Sequence, residues 1–241
     1  MSYPVAAVIL SHNNANKIDR ALESVTWCNE VFIVDSQSND GTRKIAREYG
    51  ATIIDAPDVE PTEPFDHLRQ LGIDAASYQL ILRIDSDEWF RKELQTRLQE
   101  LIENSNEIGI VSAPRVNYVG ERRLTGGRQW PDYQPILFKS KHITIHECVH
   151  EWIKFDDDQK QVLPLQEELL IQHDYADSLK DYFETQRRYA KIAGNNRRFS
   201  IFELFVSPIW AAYHTVIELR GYRDGFLGLG LGLCWSWYHF E

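Results

Sequence analysis

The sequence predicts an α/β protein: a mostly parallel sheet flanked by helices, followed by a helical appendage. Three observations predict it. Short apolar runs alternate with segments of helical period from Val5 to Ile102. The runs are continuously apolar rather than alternating, as expected of strands buried on both faces. Each of the strongest runs stops at a polar cluster. Strands that alternate with helices need crossover connections, and those give parallel pairing.

Val5 to Leu10 (VAAVIL) is the first buried strand, and Ser11-His12-Asn13-Asn14 follows it. Ile18, Ala21, Leu22 and Val25 recur at helical spacing. Val31 to Val34 (VFIV) is the second strand, ending in Asp35, and residues 36–41 (SQSNDG) carry turn chemistry. Thr42 to Tyr49 reads as a helix closed by Gly50, and Ala51 to Ile54 as the third strand. Leu68, Leu71 and Ala75 mark a further helix, and Leu80 to Ile84 the fourth strand. Lys92 to Ile102 is an amphipathic helix with Leu94, Leu98, Leu101 and Ile102 on one side. Ile108 to Ala113 is the next strand. Asn117 to Arg128, with Gly120, Gly126 and Gly127 among charges, reads as a mobile loop. The domain boundary is expected near residue 175, giving a catalytic part over 1–175 and an appendage over 176–241.

Composition narrows the function. The 241 residues have 43% hydrophobic and 26% charged content, ordinary for a globular chain, and a formal net charge of −10. That charge argues against nucleic-acid binding. It is uneven: Lys180 to Arg223 holds eight Lys/Arg and four Asp/Glu, a local +4 against −14 elsewhere. Cys28, Cys148 and Cys234 are far apart and odd in number, which suits a reducing cytoplasm rather than a disulfide framework. The N-terminal stretch lacks a basic region and its apolar run is short for a signal peptide. No run reaches the roughly 18 apolar residues of a spanning helix.

Arg83-Ile84-Asp85-Ser86-Asp87-Glu88-Trp89 is the informative stretch. A buried strand stops at three carboxylates within four positions. Such charges are costly unless offset, and a divalent cation offsets them. Mg²⁺ and Mn²⁺ take oxygen ligands, commonly one or two carboxylates plus substrate phosphates. Asp85 and Asp87 therefore predict a metal bridged to a phosphorylated substrate. In parallel sheets, ligands bind beyond the carboxyl ends of the strands, where Ser11 to Asn14, Asp35 to Gly41 and Asp85 to Glu88 all fall. Asp35 is placed to accept hydrogen bonds from a ribose or a uracil N–H, while Asp40, just before Gly41-Thr42, is better placed to cap a helix. Arg69 is expected either to meet a diphosphate or to pair with Asp66.

VILSHNNANKIDRALESV, then VDSQSNDGT, then RIDSDEWF, in this order and spacing, resemble the nucleotide-binding half of the family-2 glycosyltransferases, which have the Rossmann-type GT-A fold. GGRQWPDYQPILFKS followed by VHEW, and the late RGYRDGFLGLGLG, resemble the subgroup containing lipopolysaccharide core β-glycosyltransferases. The resemblance implies a nucleotide-sugar donor, usually a UDP-sugar, and transfer with inversion to a glycan or lipid-linked acceptor. It places Asp35 on the uracil or ribose and Asp85 and Asp87 around the donor diphosphate, with Asp87 the first candidate for direct ligand of Mg²⁺ or Mn²⁺; Ser11, Asn13, Arg69 and Arg128 are the further residues expected to bind the donor. There are departures. Asn14 stands where Glu is common, and Ile136 where Arg is common, so that Arg122, Arg123 or Arg128 must serve as the diphosphate cation. Arg83 replaces a usually apolar residue.

His146-Glu147-Cys148-Val149-His150 is a literal H-E-x-x-H. On a helix it would bind zinc as in a peptidase. The β-branched Ile143-Thr144-Ile145 before it favours a strand instead. Inverting transfer needs one general base for the acceptor hydroxyl. Within the resemblance, Glu151, directly after His150, is the first candidate and Asp132 the second. Two further functions compete with sugar transfer: a nucleotidyltransferase that consumes a nucleoside triphosphate, and a non-catalytic protein that binds a nucleotide-sugar without hydrolysing it.

In the last third, Ser178 to Phe199 reads as a cation-rich helix and Ile201 to Leu219 as an apolar, aromatic one. Gly225 to Phe240 has no Asp, Glu, Lys or Arg but carries Trp235, Trp237 and Tyr238. Basic faces beside Trp-rich apolar segments suit a helix lying in a membrane interface, hence peripheral contact with the cytoplasmic face of a membrane.

Overall fold

A computed structural model describes residues 4–57, 66–104, 109–145, 153–155, 160–194 and 201–238. The elements begin β1 (Val5–Ser11), α1 (Ile18–Ser24), β2 (Glu30–Asp35), α2 (Thr42–Glu48), β3 (Thr52–Asp55), α3 (Arg69–Ala75), β4 (Leu80–Asp85) and β5 (Glu88–Phe90). They continue with α4 (Lys92–Asn104), β6 (Ile110–Val119), β7 (Arg122–Arg123), β8 (Asp132–Lys139), β9 (Ile143–Ile145), β10 (Ile153–Phe155), β11 (Lys160–Val162) and β12 (Ile171–Ala176). Three helices follow: α5 (Leu179–Gly194), α6 (Ile201–Tyr213), which runs on as a π-helical turn over His214–Glu218, and α7 (Gly225–Tyr238).

The chain divides into two compact units. The first takes Met1–Val59, Pro64–Pro114 and Tyr133–Gln172; the second takes Glu60–Glu63, Arg115–Asp132 and His173–Glu241. The second unit thus includes a stretch far upstream of the appendage expected from residue 176 onward.

The main sheet is mixed and mostly parallel, of order β3-β2-β1-β4-β8-β6-β12-β5, and β1 to β5 belong to the first unit. β1 pairs in parallel with both β2 and β4, β2 pairs in parallel with β3, and β8 joins β4 antiparallel. Successive residues of β1 enter opposite cores. Val5, Ala7 and Ile9 pack with α1 and α4 residues such as Leu22, Leu94 and Leu98. Ala6, Val8 and Leu10 pack with Leu68 and Ile73 at α3. Helices on both faces explain why the strands read as unbroken apolar runs.

Two expectations change. Leu71 and Ala75 are exposed, and the buried side of α3 is Arg69, Gly72 and Ile73. Gly72 is small by necessity, since a Cβ there would lie 2.5 Å from a Val8 methyl and 2.9 Å from a Val34 methyl. The stretch 117–128 is not one loop. β6 continues to Val119, turns at Gly120 (φ +57°) and pairs with β7, and a short 3-10 helix spans Gly127–Gln129. By contrast β9 is a strand, as the β-branched run before the H-E-x-x-H implies; His146 to Glu151 lie outside the described residues.

The second unit has its own small core of Val119, Leu124, Ala176, Tyr182, Leu231 and Cys234. α7 forms despite Gly228, Gly230 and Gly232 because its glycines are sites of close packing. Among the described residues, no helix is long and apolar enough to cross a membrane.

Candidate active site

Three strands of the first unit end side by side. Ser11 of β1 is in register with Asp35 of β2, and Leu10 is in register with Asp85 of β4. The parallel sheet therefore brings Ser11, Asp35 and Asp85, distant in sequence, to one rim. The residues that follow each strand form the loops above it.

The first two loops are tied together by side chains. Asp35 is fully buried, and its oxygens accept bonds from the Ser38 N–H (3.0 Å) and Ser38 hydroxyl (2.6 Å). Arg43 lies 3.7 Å from it. The Asn13 N–H donates to Ser38 Oγ, and the Asn39 N–H donates back to Asn13 Oδ1. Asn13 takes a left-handed conformation (φ +51°), which Asn tolerates better than most residues. His12 Nδ1 donates to the Ser36 carbonyl at 2.5 Å, leaving Nε2 to accept from the Asn13 amide. Gly41, not Asp40, is the N-cap of α2; Asp40, one residue earlier, accepts from the N–H and hydroxyl of Thr42 and from the Ala15 N–H. Asn14 links this loop to the third, donating to Ser86 Oγ at 2.6 Å.

The third loop carries the carboxylates. Arg83 and Asp85, two apart on β4, lie on one face of the sheet, the face that α3 covers. Arg69 is fully buried there. It donates to the carbonyls of Val8 (3.0 Å) and Ile84 (3.2 Å), and its other nitrogen bonds Asp85 Oδ1. Arg83, also buried, donates to Asp85 Oδ2 at 2.8 Å and to Gln134 Oε1 at 3.2 Å. Glu88 is buried and accepts from the Asp85 N–H at 3.1 Å. The charge of Asp85, which the sequence assigned to a metal, is thus balanced by two guanidinium groups. Arg69 is directed at Asp85 and two carbonyls, where the sequence offered a diphosphate or Asp66 as its partner. Asp87 is half-buried in the two-residue turn between β4 and β5. Among the described residues, no three His, Cys, Asp or Glu side chains gather into a metal cluster.

Asp132, Arg123 and Arg128 lie in the second unit. Asp132 Oδ2 accepts from Arg115 Nε (2.8 Å) and a second Arg115 nitrogen (2.6 Å), and Asn117 Nδ2 is 3.3 Å away. Arg128 stacks on Trp235 at 3.9 Å, and Arg123 lies over Trp130 at 5.3 Å. Ile136, where an Arg is common in the resembling family, is a buried residue of β8 in the first unit. Glu151 is outside the described residues.

The roles of His12, Asn14, Ser38 and Arg83 were not legible from the chain. Arg83 did carry a signal, a cation in an apolar strand two residues before a carboxylate.

Residues 6–158 match the family described as Glycosyl transferase family 2. The chain belongs to that family. Among similar proteins, an uncharacterised glycosyltransferase of Rickettsia bellii is 28% identical over 161 residues, covering 64% of this chain and 53% of the relative. The lipopolysaccharide core biosynthesis glycosyltransferase LpsC of Rhizobium meliloti is 33% identical over 110 residues, 44% of this chain and 39% of LpsC. The chain spans about half, or less, of the length of these two relatives. Among solved structures, S. aureus TarS superposes with a TM-score of 0.51 at 14% identity, over 91% of this chain and 45% of that one. Its 1-349 fragment in complex with UDP gives 0.50 at 14% identity, over 91% and 74%. At that identity the likeness is one of fold, and the fold is that of the GT-A glycosyltransferases.

Proposed function

We propose that this family 2 chain transfers a sugar from a nucleotide-sugar donor, a UDP-sugar, to a hydroxyl of a glycan or lipid-linked acceptor, with inversion at the anomeric carbon. The observation that carries the reading is the shared rim formed by Ser11, Asp35 and Asp85 at the carboxyl ends of adjacent parallel strands. Ligands of open α/β sheets bind there. The UDP complex of the TarS fragment, similar in fold, supports a uridine nucleotide. The name of LpsC supports a glycolipid acceptor met at a membrane surface.

In this reading Ser11, Asn13 and Asp35 hold the nucleoside, with Asp35 exchanging its Ser38 hydroxyl bond for one from the donor. Arg69 and Arg83 are positioning residues that fix Asp85 at the rim. Asp87 would hold Mg²⁺ or Mn²⁺, ions that are commonly held by one or two carboxylates. A bound ion would supply charge neutralisation for the departing diphosphate. Asp85 fits less well as a direct ligand, because an ion there would sit against two guanidinium groups. Glu151 takes the proton of the acceptor hydroxyl as its oxygen bonds the anomeric carbon and the sugar–diphosphate bond breaks, its electron pair leaving with the nucleotide. Asp132, committed to Arg115, is the weaker candidate base.

The test is a thermal shift with UDP- and GDP-sugars, with and without Mn²⁺. A UDP-sugar should raise Tm more with Mn²⁺ than without. Glu151→Ala should keep that shift and lose transfer by at least about 100-fold, the scale of general-base loss. The reading fails if no nucleotide-sugar raises Tm.

A further inference from the structure

The second unit packs its last helices the opposite way round from helices that face water. A surface helix normally turns its large apolar residues inward and polar ones outward. In α7 the smallest residues face inward. A Cβ on Gly228 would collide with the Gly221 carbonyl, and one on Gly232 would lie 2.5 Å from a Val216 methyl. One apolar stripe of the same helix faces out: Phe226 is 92% exposed and Leu233 67%, while Leu231 and Cys234 are buried. On α6, which packs against α7, Ile209 is 73% exposed, with Trp210 and Tyr213 more than half exposed. Residues 209, 213 and 217 on one helix, and 226, 229 and 233 on the other, recur at helical spacing, so each helix carries a stripe.

Small residues at the helix contact with bulky apolar residues outside is how helices pack in lipid. Contiguous apolar surface of this kind marks an interaction site. The 14 residues of α7 extend about 21 Å, short of the roughly 30 Å hydrocarbon core, so it lies along a membrane rather than across it. The turn between the helices supplies the other half of an interfacial site. Arg220 and Arg223 are exposed, and Tyr222 between them is 54% exposed. Cations match anionic headgroups, and aromatic rings favour the headgroup level.

We infer that the exposed stripes of α6 and α7, with Arg220 and Arg223, form a docking face for an anionic lipid bilayer. The inference gives a location to the membrane contact proposed above and does not depend on donor chemistry. The test is flotation of the full chain with vesicles of phosphatidylcholine alone or with 30% phosphatidylglycerol, a composition chosen to supply anionic headgroups. The chain should float with the anionic vesicles, and Phe226→Glu/Leu233→Glu should lower its partition at least about 10-fold. Arg223→Glu should weaken binding to anionic vesicles and leave binding to neutral ones unchanged. Circular dichroism and the UDP-sugar thermal shift, measured without vesicles, should be unchanged in each variant, which separates this inference from the donor assignment. It is overturned if the wild-type chain floats with neither vesicle, or if the double variant floats equally well. It is also overturned if sedimentation shows a dimer that the double variant dissolves while vesicle binding stays absent.

Discussion

Asp85 and Asp87 are two positions apart in one motif and stand in different surroundings. Asp85 lies between two buried arginines, and its removal would leave Arg69 and Arg83 in the core without the carboxylate they share. Breaking a buried pair in this way costs about 3–5 kcal/mol; Asp85 is 26% exposed, so the lower end applies. Asp85→Ala should therefore lower the urea midpoint substantially. Asp87→Ala should change stability by under about 1 kcal/mol yet abolish the Mn²⁺ dependence of UDP-sugar binding in calorimetry. If Asp87→Ala left that dependence intact, Asp87 would not be the ion's ligand. The D-x-D spacing was visible in the chain. The division of labour was not, because it depends on Arg69, sixteen residues upstream, being carried by α3 onto the same face of the sheet.

Helices and strands were legible to different degrees, for reasons of packing. β1, β2 and β4 read plainly because both of their faces are buried. α3 read as a helix, with Leu68 rightly at the core but Leu71 and Ala75 on the exposed side. An apolar period points to Leu71, whereas the contact with β1 and β2 requires Gly72. Gly72→Ala should cost about 1–3 kcal/mol through overpacking, and Leu71→Ala, on the exposed side, should cost less than about 1 kcal/mol; chemical denaturation compares the two. Equal losses would mean that α3 packs otherwise. The glycines of 117–128 suggested a loop, but they serve a hairpin turn at Gly120 and a close approach of Gly126 to the Arg220 backbone. Glycine marks where backbone comes close, and a single chain does not name the partner that approaches.

Across the molecule, neither unit is continuous in sequence. Arg115–Asp132 belongs with His173–Glu241, although some forty residues of the first unit intervene. Its Val119 and Leu124 share a core with Ala176, Tyr182, Leu231 and Cys234. A chain cut after residue 175 would expose that half-core. It should aggregate or bind the dye ANS strongly where the full chain does not; a soluble, ANS-silent fragment would show that residues 115–132 need no partner from the C-terminal segment. By itself the sequence determined the α/β class, the parallel strands, the family resemblance and the rim that gathers Ser11, Asp35 and Asp85, because these follow from local periodicity and from residues placed just after buried strands. Tertiary structure alone decided that Asp85 is balanced by Arg69 and Arg83, that residues 115–132 join the C-terminal helices, and that α7 turns glycine inward and phenylalanine outward. Each of these is a contact between residues far apart in the chain, and hydrophobic pattern specifies that a face is buried without specifying against what.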